Sequence, residues 1–206
     1  MKKNPLALAV AGALVAACAG MAGSQKDYSA ETLAMLKTSF KERGQAKLDR
    51  LDQDDMQRMC SAAAEKPIAR DVAERLENAQ QALIKYPSDG KYLGDWKAGE
   101  RIAQSGQGKQ FNDDPARPNG ANCYACHQLS KAELSFGTIG PSLYNFGKLR
   151  GFTPQIQRYA YSKVYNSQAF SACSNMPRFG HAGILTEQQI KDVVALLMDL
   201  ESPVNK

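Results

Sequence analysis

Histidine is scarce in this chain of 206 residues, which has only His127 and His181. Residues 24–92 hold neither, so that stretch has no imidazole to offer a metal. Long apolar runs are missing too. The run from Leu6 to Ala17 is far too short, and nothing later approaches the roughly 20 apolar residues that a membrane helix needs. No sign of charge dominates: 26 basic residues face 21 acidic ones, interspersed along the chain, which leaves no electrostatic footprint for nucleic acid. No stretch alternates apolar and polar residues as a strand would, so the chain is expected to be all-α.

What is present begins with a leader. Met1-Lys2-Lys3, the apolar run and the small residues after it read as a signal peptide over 1–18. Val15-Ala16-Ala17-Cys18 also resembles a lipobox, in which Cys18 becomes a lipidated first residue. The competing reading is ordinary cleavage at Ala17-Cys18-Ala19 or in the Gly20-to-Ala22 stretch, which discards Cys18. Both place the mature protein in an oxidising compartment, the periplasm, with or without a lipid anchor.

Cys123-Tyr124-Ala125-Cys126-His127 carries the chemistry. C-x-x-C-H is the spacing at which two thiols add across the vinyl groups of a haem while the adjacent histidine ligates its iron. One turn of chain brings both sulfurs to the porphyrin edge and aims the imidazole at its centre. Zinc also uses C-x-x-C, but a structural site needs a second close ligand pair. Here Cys18, Cys60 and Cys173 are isolated. A thioredoxin-like pair would need a βαβ setting that GANCYACHQLSK does not offer. The motif therefore implies one covalently bound haem c. With two thiols in thioethers and Cys18 lipidated or discarded, Cys60 and Cys173 remain, and the export signal favours a disulfide between them over two buried free thiols.

The iron's other face needs a second ligand. Of seven methionines, Met176 lies in the loop Ser174-Asn175-Met176-Pro177-Arg178-Phe179-Gly180, where Pro177 stiffens the backbone. A thioether favours ferrous iron, and Met176 is read as the sixth ligand, with His181 as the rival and an open position as the third choice. Gly140-Pro141 stands where a proline carbonyl would accept the Nδ1–H of His127, against the plain alternative of a turn. Tyr144, Lys148, Arg150, Tyr159 and Tyr161 are candidate donors to the haem propionates. No serine or free cysteine has a histidine to serve as its base, so no catalytic residue is assigned.

Helical spacing organises the rest. Ser29 is expected to cap a helix with Leu33, Leu36 and Phe40 on one face and Gly44 as its stop. Residues 47–65 have helical composition. Pro67 suits the first turn of a third helix, with Ile68, Val72, Leu76, Ala79 and Leu83 as its stripe. Asp95 caps a helix from Trp96 towards Ala103, and 104–120 is loop. Thr186-Glu187-Gln188-Gln189 has capping-box form, with Ile190, Val193, Val194, Leu197 and Met198 as an apolar face and Pro203 as the end. A helix, C-x-x-C-H, a long loop and a final helix is the order of a class I cytochrome c fold. The expected domains are a helical extension, 24–92, and a cytochrome c domain, 93–206.

GDWKAGERIAQSGQG, GANCYACHQ, GTIGPSL and above all CSNMPRFGHAGILTEQQIKDVVALLMDLESPVN resemble the SoxX family, the small cytochrome subunits of bacterial thiosulfate oxidation, over roughly residues 86–206. The resemblance implies a heterodimer with SoxA, a cytochrome whose haem carries a cysteine persulfide ligand. That complex joins thiosulfate oxidatively to a cysteine of the SoxYZ carrier, the reaction of an L-cysteine S-thiosulfotransferase. By this likeness the chain holds the electron-accepting haem, through Cys123, Cys126, His127 and Met176, and passes electrons to a soluble cytochrome c. The sulfur chemistry belongs to the partner. An apolar surface around Met176 to Phe179 is expected to meet that partner. The alternatives are a free-standing electron-transfer cytochrome, which the motif residues alone also permit, and a ligand-binding haem protein with an open sixth position.

Overall fold

A computed structural model describes residues 27–63 and 66–206. The leader, 1–18, and Cys18 lie outside the described residues. Two compact units divide the chain at Lys41/Glu42, not near residue 92. Residues 42–92 fall in the second unit because covalent and polar ties bind them to its later half: the Cys60–Cys173 disulfide, the Tyr161 hydroxyl donating to the Lys85 carbonyl at 3.2 Å, and Lys191 paired with Asp89 at 3.2 Å. Among the described residues there is no strand, only an isolated bridge between Arg43 and Ala46.

In the first unit, α1 (Ser29–Ser39) has the Asp27 carboxylate accepting from the Ser29 N–H at 2.9 Å, so Ser29 is the first helical residue rather than the cap. The described residues of the second unit form six α-helices. Asp54 opens α2 (Asp55–Ala62) with a capping box, its side chain accepting from the Gln57 N–H and Gln57 reaching back to the Asp54 N–H. Next, α3 (Arg70–Ala82) starts three residues after Pro67; no Ser, Thr, Asp or Asn precedes Pro67 to cap a helix there. Its buried side is also turned from the expected stripe: Gln80 is its buried residue, while Ala79 and Leu83 face solvent.

Asp95 caps α4 (Trp96–Gln104), accepting from the Lys97 N–H at 2.9 Å. The stretch expected as one long loop contains α5 (Phe146–Arg150) and α6 (Pro154–Tyr165). Thr153 caps α6 and Pro154 occupies its first position, a preorganised start that the sequence displays as Thr-Pro. The capping box of Thr186 and Gln189 opens α7 (Glu187–Met198). This helix ends at Met198, five residues before Pro203, because Asn205 donates to the freed carbonyls of Leu197 and Asp199 at 3.0 and 2.9 Å.

The core gathers around α7, buried along nearly its whole length. It packs chiefly on α4, where a Cβ on Gly99 would stand 2.1 Å from the Asp192 carbonyl oxygen. Only glycine lets the two backbones approach so closely. Leu129, Tyr161, Ile190, Val194, Leu196 and Val204 are fully buried around this crossing. Each such apolar side chain contributes about 1.5–3 kcal/mol on leaving water. The crossing thereby fixes both the end of α4, which leads to the cysteine motif, and the start of α7, which follows the methionine loop.

Candidate haem site

The motif is held by backbone bonds to the end of α4. Ala121 N–H donates to the Ile102 carbonyl (2.9 Å), and Asn122 N–H to that of Ser105 (2.8 Å). Asn122 takes a left-handed conformation at φ 46°, and Cys123–Ala125 then forms a single 3-10 turn. His127 N–H donates to the Cys123 carbonyl at 2.9 Å, so the two cysteines and the histidine belong to one turn. Cys123 and Cys126 are free thiols, both half-buried, and Cys123 packs against the core cluster. Burial pushes the Cys123 thiol up to about 12. Among the described residues no three Cys, His, Asp or Glu side chains assemble as a metal set.

His127 sets the orientation. Its Nδ1 lies 2.7 Å from the Pro141 carbonyl oxygen, which can only accept, so Nδ1 is the donor and in the neutral ring the lone pair is on Nε2. Gly140 presses on the same ring: a Cβ there would stand 2.2 Å from the His127 Cε1. Gly140 N–H donates to the Cys126 carbonyl and Gly137 N–H to that of Tyr124, each at 2.8 Å, which locks the return loop onto the turn. Two unbridged thiols one turn apart and an imidazole fixed with Nε2 available suit a haem attached through two thioethers.

Met176 is half-buried and packs against the same core cluster as Cys123. Its loop is fastened from several sides. Cys173 is joined to Cys60 of α2 (S–S 2.08 Å). Ser167 donates its hydroxyl to the Met176 carbonyl. Arg178 pairs with Asp54 at 2.5 Å and donates to Gln80 Oε1 at 3.3 Å. Ala172 N–H donates to Glu77 at 2.8 Å. Burial acts to raise the Asp54 carboxyl, yet the Gln57 N–H and the Arg178 guanidinium outweigh it and hold the group below its ordinary value. His181 follows the loop with its N–H on the Tyr165 carbonyl (3.1 Å), and burial together with Arg178 lowers its imidazole.

Other expectations are redrawn. The apolar surface expected at Met176 to Phe179 is largely consumed, with Phe179 buried and Arg178 paired. The prominent exposed apolar side chains near the motif are instead Leu134 and Ile139, between His127 and Pro141. Of the propionate candidates, Tyr161 spends its hydroxyl on the Lys85 carbonyl and Tyr144 on that of Lys206 (2.6 Å), leaving Lys148, Arg150 and Tyr159. A cavity of about 450 Å³ beside the turn is lined by Asn122, Tyr124, Glu133 and Phe136 among others, but not by His127. Asp54, Glu77, Gln80 and Arg178 escaped the sequence reading. One signal was available: the Asp54–Gln57 spacing of a capping box.

Among known proteins, residues 105–201 match the family model described as Cytochrome c. The chain is also 36% identical over 203 residues to a protein of Aquifex aeolicus (strain VF5) that bears the name Uncharacterized lipoprotein. That match covers 95% of this chain and 94% of the other. Among the described residues no helix is long and apolar enough to cross a membrane.

Proposed function

The chain belongs to the cytochrome c family and carries covalently bound haem c, and from that premise we propose that it is the electron-accepting subunit of a thiosulfate-oxidising complex. Haem, when bound, supplies a one-electron ferric/ferrous couple. In this reading Cys123 and Cys126 would form the thioethers, and His127 Nε2 and the Met176 sulfur would hold the iron. The Pro141 carbonyl holds the imidazole ring and raises its basicity through Nδ1. The soft sulfur of Met176 favours the reduced metal and so raises the potential.

The observation that carries the electron-transfer reading is the His127–Pro141 hydrogen bond, which leaves one imidazole nitrogen free and aimed by its partner. The thiosulfate part is supported by the likeness of Gly140-Pro141 and of the Cys173-to-Asn205 segment to SoxX. A SoxA-like haem subunit would perform the sulfur chemistry on the SoxYZ carrier, meeting this chain at the exposed Leu134 and Ile139. A soluble cytochrome c would receive the electrons. The relative's name supports lipidation at Cys18 and hence a membrane tether, and the leader sequence supports a periplasmic location.

Co-purification from the native periplasm tests the partnership. A larger haem-bearing subunit is expected in the complex, and thiosulfate with the carrier should reduce this chain's haem only in that subunit's presence. A monomer that stays unresponsive with the subunit supplied would replace this reading with a free-standing electron carrier. Conjugation of thiosulfate by the isolated chain would overturn the division of labour.

A further inference from the structure

We infer that Asp54, Cys60, Glu77 and Gln80, all upstream of the haem motif, are positioning residues that hold the Met176 loop in place; this rests on the reading of Met176 as the sixth ligand. Three kinds of bond converge on the loop from α2 and α3. Cys60 is bonded covalently to Cys173, three residues before Met176. Asp54 forms an ion pair with Arg178, two residues after it, and the Arg178 side chain is only 12% exposed. Glu77 accepts the Ala172 N–H, and Gln80 accepts from Arg178. Gln80 is itself fixed by Asn166, whose amide donates to its carbonyl and side-chain oxygens at 3.2 and 3.0 Å. Met176 therefore sits between two tethered residues.

Backbone conformation at the first tether supports the same conclusion. Cys173 has φ 60°, a left-handed conformation that a residue with a Cβ rarely adopts. Such a residue persists only where its surroundings over-determine it. Glu77 on the residue before and Cys60 on the side chain provide that determination. The polar buried side of α3 gains a purpose as well: Glu77 and Gln80 stand where a packing helix would carry apolar residues because they bond the loop. A neutral thioether binds ferric iron weakly, so its occupancy depends on a loop that stays near the metal.

Imidazole titration of the ferric holoprotein tests this, since imidazole gains access only when the thioether is displaced. Asp54→Asn is the diagnostic variant: asparagine caps a helix as well as aspartate, so α2 keeps its start while the ion pair to Arg178 is lost. Its apparent imidazole affinity should rise about tenfold as the open fraction of the loop grows. Hydrogen exchange in residues 172–181 should quicken while that in α7 does not change. Cys60→Ser with Cys173→Ser should act in the same direction, and if that pair fails to fold, Asp54→Asn and Gln80→Ala carry the test. Unchanged affinity in these variants, with a rise in Met176→Ala, would overturn the positioning role and leave the ligand reading intact. Unchanged affinity in Met176→Ala as well would overturn the ligand reading, and the positioning role with it.

Discussion

His127 donates its Nδ1–H to the Pro141 carbonyl at 2.7 Å, and Gly140, the residue before that carbonyl, packs against the same imidazole ring. Orientation and contact thus come from two consecutive residues of one loop. The ring is held by a hydrogen bond on one atom and by backbone at van der Waals range beside it, so the site tolerates almost no added volume.

Gly140→Ala should therefore be disruptive. The new methyl would stand 2.2 Å from His127 Cε1. The cost expected for such overpacking is about 1–3 kcal/mol, and the histidine should lose its bond to Pro141 as it moves. Urea unfolding together with the absorption spectrum of the ferrous protein checks both parts. A variant with native stability and spectrum would show that the loop yields freely.

Met176→Ala should leave the haem covalently attached, since both thioethers remain, while abolishing the methionine-to-iron charge-transfer band and lowering the potential. An unchanged band would reject Met176 as the ligand. A native protein without that band, in which His181→Ala rather than Met176→Ala opens the iron to added imidazole, would make His181 the ligand.

Removing the disulfide should weaken the fold as a whole. The bond closes a separation of 113 residues. For loops of this size the chain-entropy account gives about 4–5 kcal/mol. Cys60→Ser with Cys173→Ser should lower the urea midpoint accordingly. Non-reducing peptide mapping of exported protein should recover the two cysteines as one linked peptide pair.

Acidification should destabilise the protein through His181. Burial and Arg178 depress its imidazole below the ordinary value of 6.5, so the unfolded chain takes up the proton first as pH falls. The stability contributed by neutral His181 is present above about pH 6.5 and is lost as pH drops through the lower folded value. Urea midpoints measured from pH 8 to 5 should decline, and His181→Asn should flatten that decline. An equal slope in the variant would exclude His181 as its source.

Features with a local signature were legible in the sequence. Asp95 and Thr186 cap their helices as read, since a short side chain bonding two or three residues ahead needs no tertiary context. The all-α class and the covalent haem followed from periodicity and from five consecutive residues. Long-range choices were hidden. The pairing of Asp54 with Arg178 spans 124 positions, and nothing in either neighbourhood announces the other. The buried face of α3 differs from its apolar stripe because Glu77 and Gln80 are drawn inward by hydrogen bonds, which hydrophobic periodicity does not register. The start of α6 does have a local signature, Thr153-Pro154, within a stretch expected to be loop.

The bond between Cys60 and Cys173 makes residues 60 to 173 a covalent ring, and the turn proposed to carry the haem lies inside it. Maturation of the exported chain must therefore treat its four thiols in opposite ways, oxidising one pair while keeping the other reduced until haem arrives. Of the three ways to pair four cysteines, only one leaves Cys123 and Cys126 together for thioether formation, and even then they must not bridge each other. Production in a foreign host is thus a question of timing between an oxidant and a haem supply, and a yield of folded but colourless protein would point to that timing rather than to the sequence.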